Sequence, residues 1–139
     1  MNPTVVPVAP AEGPASLALP GWPVLRLGFR PFYLGAAFVA AISVPLWIAM
    51  YMGRVQLNVS VSPMLWHAHE MLYGFAVAVI IGFLLTAGKS WTGLQTPRGA
   101  ALGGLATLWL AARLAALGAP HWVYAALDVM LLPIVAVVF

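Results

Sequence analysis

The segment "WHAHEMLYGF", residues 66–75, places His67, His69 and Glu70 within four positions at the mouth of one of the most apolar runs in the chain. Imidazole ligates metals or carries protons, a carboxylate orients an imidazole by accepting its second N–H, and the Met71 thioether is a soft donor. His and Met together suit haem iron or Cu(I). Helical geometry limits the combinations. At about 100° per residue, His67 and His69 diverge by about 200°, so one regular helix cannot offer both to one ion. A strand would put both on one face, but an apolar run of roughly 25 residues is too long for a strand. Either the two His serve different sites, or only one of them ligates metal.

Glu70 and Met71 follow His67 by three and four positions and are expected to share its face. Glu70 also opens a row at four-residue spacing, continued by Gly74, Ala78, Gly82 and Thr86. Small residues in such a row let a neighbouring helix approach, so the row is expected to face protein, with Glu70 and His67 facing inward beside it. Tyr73 follows His69 by four and is placed to stack on it or to hydrogen-bond Glu70. Spacing alone leaves haem, copper, a proton and simple helix–helix glue all open.

The elements that must position these groups are membrane helices. Of 139 residues, 63% are hydrophobic and 6% charged, and the mean hydropathy is +0.99. Ordinary soluble domains are about 45–50% apolar and about 25% charged. The sequence predicts an all-α membrane protein, a polytopic helical bundle with four transmembrane helices at about 32–53, 64–88, 99–117 and 121–139. Pro31, Pro63 and Pro97 precede or open three of them, while Pro45 and Pro133 lie inside the first and last and are expected to kink them. Residues 1–25 read as a disordered Pro/Ala-rich tail and 26–139 as the transmembrane domain. The chain has no Cys, so thiolate ligation is excluded. Its few basic residues form no aromatic-interleaved patch, which argues against nucleic acid as a partner and for the lipid bilayer.

Arg26, Arg30, Lys89 and Arg98 fall on one side of this hairpin stack, with Arg54 and Arg113 on the other. The positive-inside rule then predicts a cytoplasmic N-terminus. The same up-down topology brings polar groups of three helices to a common depth. Glu70 lies roughly 9 Å into its helix, Asp128 roughly 10 Å, and Arg113 roughly 7 Å from the end of the third. An unpaired charge there costs at least ~2.5–3.5 kcal/mol, so a shared pocket is expected. Asp128 is too short to snorkel and is expected to pair with Arg113 or His121. Arg113 either reaches the headgroups or joins that pocket, and His121, at a helix mouth, reads as interfacial.

Four blocks, "RLGFRPFYLGAAF" (26–38), "SPMLWHAHEMLYGFAVAVIIGFLLTAGKSWTG" (62–93), "RGAALGGLATLWLAAR" (98–113) and "LDVMLLP" (127–133), resemble the start of the NnrS family. These are bacterial multi-pass membrane proteins linked to the nitric oxide response and reported to carry haem and copper. The resemblance implies haem or copper contact at His67 and His69, while Met71, by its thioether on the His67 face, and Arg113, as a partner for a haem propionate, are candidate cofactor contacts by their own chemistry. Their own chemistry makes Glu70, Tyr73, Asp128 and His121 candidates to orient an imidazole by hydrogen bonding or to handle protons. Family members have further membrane helices, so the chain is expected to be the N-terminal third of a longer bundle whose later helices complete the site. The function implied is an inner-membrane protein binding haem and copper and contributing to nitric oxide tolerance. Two readings from other classes stand beside it: a proton-coupled transporter or channel with a His/Glu/Asp relay, and a purely structural membrane module. No nucleophilic triad or phosphate-cradling loop is present, and enzymatic turnover stays open.

Overall fold

The computed structural model describes residues 22–138, so most of the expected N-terminal tail, and Phe139, lie outside the described residues. Residues 22–25, which the sequence assigned to that tail, include a short 3-10 turn, Pro23–Leu25. Leu25 packs against the core, and its carbonyl accepts a hydrogen bond from the Gly99 N–H at 3.0 Å. Four helices follow: α1 (Phe29–Tyr51), α2 (Pro63–Thr92), α3 (Ala100–Ala115) and α4 (His121–Val138). No strand occurs among the described residues. The molecule is a helical membrane bundle, as its composition requires.

Three of the helices, α1, α2 and α4, are long and apolar enough to cross a bilayer. The third, α3, has 16 residues, which at 1.5 Å per residue extends about 24 Å against a hydrocarbon core of about 30 Å. It is shorter than the expected 99–117 because Gly99 takes a positive φ of 57° and the chain turns at 116–119. The second helix is longer than expected and passes Lys89 to Thr92. A charge ends an apolar run but not a helix. The helix stops at Gly93, whose left-handed φ of 72° no L side chain adopts cheaply. At the other end Ser62 caps α2 by accepting from the Leu65 N–H, with Pro63 in the first turn. Both internal prolines, Pro45 and Pro133, lie within continuous helices.

The helices pair as α1 on α2 and α3 on α4. Two apolar layers result. One gathers Phe32, Ala36 and Val39 of α1, Ala78, Ile81 and Leu85 of α2, Leu102, Leu105 and Trp109 of α3, and Leu131 and Val135 of α4. The other, toward the α1–α2 and α3–α4 turns, holds Met50, Trp66, Ala116 and Tyr124. The α1–α2 connection covers this second layer, with Val55, Leu57, Val59 and Val61 alternately turned toward it. Between the layers every helix carries one buried polar residue: Ser43, Glu70, Arg113 and Asp128.

Candidate functional site

The polar layer is built on an irregular stretch of α2. Residues Glu70–Ala76 wind as a π-helix, flanked by α-helical turns on both sides. A π-turn spends an extra residue per turn and leaves backbone groups without regular partners, a feature frequent at functional sites. Within it, the Tyr73 carbonyl accepts a hydrogen bond from the Trp109 indole N–H at 3.2 Å. Gly74 sits at the centre of the same stretch. A Cβ there would lie 2.9 Å from Val39 and 3.2 Å from Arg113, so only glycine lets the guanidinium cross α2 at this point.

Four ionisable side chains from three helices close a ring. Arg113 Nη2 donates a short hydrogen bond to Asp128 Oδ1. Asp128 Oδ2 lies 3.0 Å from His69 Nε2, His69 Nδ1 lies 3.2 Å from Glu70 Oε1, and Glu70 Oε2 lies 3.6 Å from Arg113 Nη1. Glu70 and Asp128 are each 3% exposed and Arg113 5%, while the His69 side chain retains 21%. Two carboxylates thus face one guanidinium and one imidazole across the ring. Charges so deep in a membrane protein are tolerable because each has its counter-charge within reach.

The lean of helical side chains explains why Arg113 joins the ring rather than the headgroups. A Cα–Cβ bond tilts toward its helix N-terminus. From a position two residues before the end of α3, Arg113 is therefore directed back into the bundle. Glu70 and Asp128 each stand seven residues from the start of their helices, about 10 Å deep at 1.5 Å per residue. Asp128 thus finds Arg113, one of its two expected partners. The other, His121, is exposed and places Nδ1 2.7 Å from the Tyr124 hydroxyl, and Tyr124 in turn meets His69 edge-on at 5.1 Å.

The two imidazoles of the opening motif part company. His69 lies between Tyr73, stacked on it at 4.9 Å, and the carboxylates of Glu70 and Asp128. His67 stacks face to face on Trp47 of α1, with centroids 4.2 Å apart and planes 13° from parallel. Its Nδ1 is buried and has no hydrogen-bond partner, and neither does the Trp47 indole nitrogen. The expected sharing of an inward face by His67 and Glu70 is met only in part, since Glu70 pairs with His69. Glu70 points at the centre of the bundle, leaving His67 on the flank toward α1 and His69 on the flank toward α4. Met71 is half-buried on the π-turn.

For metal or haem the donor set divides along the same line. Both nitrogens of His69 face carboxylates, so it has no spare lone pair while the ring is closed. The buried, partnerless Nδ1 of His67 suits a single ligating contact. No group of three or more His, Cys, Asp or Glu poised around one ion is found among the described residues, so this stretch fits a contributed ligand and not a complete chelate. The sequence reading passed over Trp109, Trp47 and Tyr124, and it placed Trp66 among the interfacial aromatics at a helix boundary, whereas the structure buries it. Trp66 donates to the Ala116 carbonyl at 3.1 Å and ties α2 to the end of α3. Heptad-like spacing held a signal for two of them: Trp109 and Tyr124 each stand four residues before a buried charge.

No curated protein and no solved structure matches the chain. The family model described as NnrS protein matches residues 23–139, which takes in all four helices and every member of the charge ring. The chain is therefore a membrane protein of the NnrS family.

Proposed function

We propose that this chain contributes to a haem- or copper-dependent response to nitric oxide in the bacterial inner membrane, with the N-terminus cytoplasmic and His67 as the ligand it supplies. One observation carries the reading: an imidazole nitrogen buried inside an apolar helix with nothing bonded to it, an arrangement that costs stability unless something is bound there. A metal at that nitrogen would supply reversible binding of a small apolar gas that arrives through lipid. The chain's own part is to hold the His67 ring against Trp47 and to keep the neighbouring charges neutralised, so that they do not draw water into the site. Arg113 is also of the right type for a haem propionate, but it is committed to Glu70 and Asp128. Family membership supports the reading without naming the metal.

The test is metal content. Protein purified from haem- and copper-replete cells should show Soret absorption or bound copper, lost in His67→Ala and retained in His69→Gln if the latter folds. Wild-type protein with neither signal overturns the reading.

A second reading rests on the route from the buried ring through Tyr124 to the exposed His121, which is a proton path in outline. Metal-free protein whose substrate uptake is abolished by Glu70→Gln would favour this relay.

A further inference from the structure

The start of α1 lies directly on the side of α2. Gly28 is buried, and a Cβ there would lie 2.7 Å from the Leu85 Cβ, so only glycine lets the two segments approach this closely. One helical turn beyond Leu85 stands Lys89, and a cleft of ≈ 100 Å³ opens between them and the α2–α3 connection. Gly28 and Phe29 of α1, Thr86 and Lys89 of α2, and Thr96 and Arg98 of the connection line it. Lys89 and Arg98 are exposed, so a ligand can reach both cationic groups. Every ion pair among the described residues belongs to the charge ring, and neither cation takes part in one. The nearer acid along the chain, Glu70, is roughly 28 Å back along α2 from Lys89. The start of α1 adds to the positive field, because Gly28 caps it without a side chain and its first turn holds no acid. A second cavity, of ≈ 350 Å³, shares Phe29 and Thr86 with the cleft and so adjoins it. Tyr33, Phe83, Ala87 and Ser90 complete its largely apolar lining between α1 and α2. Tyr33 and Phe83 are exposed, and Phe83 stands about 14 Å back from the end of α2 at Thr92, within the depth of the hydrocarbon.

We propose that these adjoining cavities bind one anionic glycerophospholipid, its phosphate between Lys89 and Arg98 and an acyl chain along Tyr33 and Phe83. Charge selects the head. Arg98 offers a planar donor fork to two phosphate oxygens, and Lys89 adds a point charge beside it. Phosphatidylglycerol brings only hydroxyls besides its phosphate, whereas phosphatidylcholine would bring its own cation up to Lys89 and Arg98. The apolar half selects a lipid over a free phosphate, because a water-soluble anion leaves the cavity beside Phe83 without an occupant of its own kind. Basic pockets at the ends of membrane helices take anionic headgroups by this combination. The site is remote from His67 and from the charge ring, and it needs neither a metal nor a proton path.

The experiment titrates the purified, delipidated protein in non-ionic detergent with phosphatidylglycerol and counts retained lipid by native mass spectrometry. One lipid per chain should bind ahead of all others, and phosphatidylcholine with the same chains should bind about tenfold more weakly or worse. Lys89→Gln and Arg98→Gln should each weaken retention about fivefold, and together about thirtyfold. Both positions are exposed, so the unfolding midpoint measured without lipid should stay close to wild type. Arg54→Gln removes the same charge from an exposed position beyond the other end of α1 and should leave retention unchanged. Glycerol phosphate at the lipid's concentration should not displace it. Three results overturn the proposal. Equal losses in Arg54→Gln and Arg98→Gln, or none in either, mean diffuse attraction or no site. Equal retention of the two lipids means an unselective boundary layer. Displacement by glycerol phosphate means a site for a free anion.

Discussion

Removing Arg113 and Asp128 together should destabilise the protein by less than the sum of the two single losses, with Arg113 alone the costlier of the two. In Arg113→Met, Glu70 and Asp128 stay buried at 3% exposure with only His69 to balance them. Breaking a buried pair in this way costs about 3–5 kcal/mol, because an uncompensated charge is left behind. In Asp128→Asn the guanidinium keeps Glu70 as its counter-charge at 3.6 Å, and a smaller loss of about 1–3 kcal/mol is expected for the weakened charged hydrogen bond. The double variant retains His69 against Glu70 alone, a self-balancing pair 3.2 Å apart. Its loss should fall short of the sum of the singles by about 0.5–3 kcal/mol, the range of directly coupled residues. Equilibrium unfolding in mixed micelles, followed through Trp66 and Trp109, measures all four corners of the cycle. If the losses add to within about 0.5 kcal/mol, the ring is not the energetic unit described and Arg113 is held by something else.

Three further outcomes follow from the same geometry. Gly74→Ala should cost about 1–3 kcal/mol, because its methyl meets Val39 at 2.9 Å and Arg113 at 3.2 Å, whereas Gly104→Ala, with open space around it, should not destabilise; thermal unfolding of both compares them. Trp109→Phe keeps an aromatic ring near Phe32 but strips the Tyr73 carbonyl of its partner, for a loss of about 1–3 kcal/mol, and hydrogen exchange should rise at the amides of 70–77 more than elsewhere in α2. Thr86→Leu should change stability by no more than about 0.5 kcal/mol, since Thr86 is exposed and its hydroxyl only bonds back to the Gly82 carbonyl; a loss above 1.5 kcal/mol would mean that the small-residue row packs along its whole length.

Thr86 also marks where periodicity stops being informative. A row at four-residue spacing advances about 40° per step around a helix of 3.6 residues per turn. Glu70, Gly74, Ala78 and Gly82 are all buried, but by Thr86 the row has turned out of the interface, and Ile81, Leu85 and Gly88 carry the contact instead. Length and apolarity located every helix because they are local sums over about 20 residues. The end of α2 was misplaced for the complementary reason. Its stop is a backbone event at Gly93, and the run of hydropathy ends four residues earlier at Lys89. The extended cover over the second apolar layer had a legible signal in the alternation of Val55, Leu57, Val59 and Val61, but its length does not resemble a membrane element.

The site was legible in depth and not in azimuth. Counting residues from the turns put Glu70, Arg113 and Asp128 at one level, and that arithmetic survives because rise per residue barely varies between helices. Which flank of α2 meets which neighbour depends on the lateral order of helices, and no spacing within a single helix reports that. The sequence separates His67 and His69 by about 200° but does not say which neighbour each one meets, and the packing decides that. One flank turns to α1 and leaves an imidazole nitrogen unpartnered beside Trp47, while the other turns to α4 and encloses an imidazole between two carboxylates. The π-turn that starts at Glu70 lies where this division is made, and its Tyr73 carbonyl accepts from Trp109, a residue of neither flank. A chemistry that needs both imidazoles on one ion would require α2 to rewind through that turn. A chemistry that needs one free imidazole and one closed charge ring is already in place.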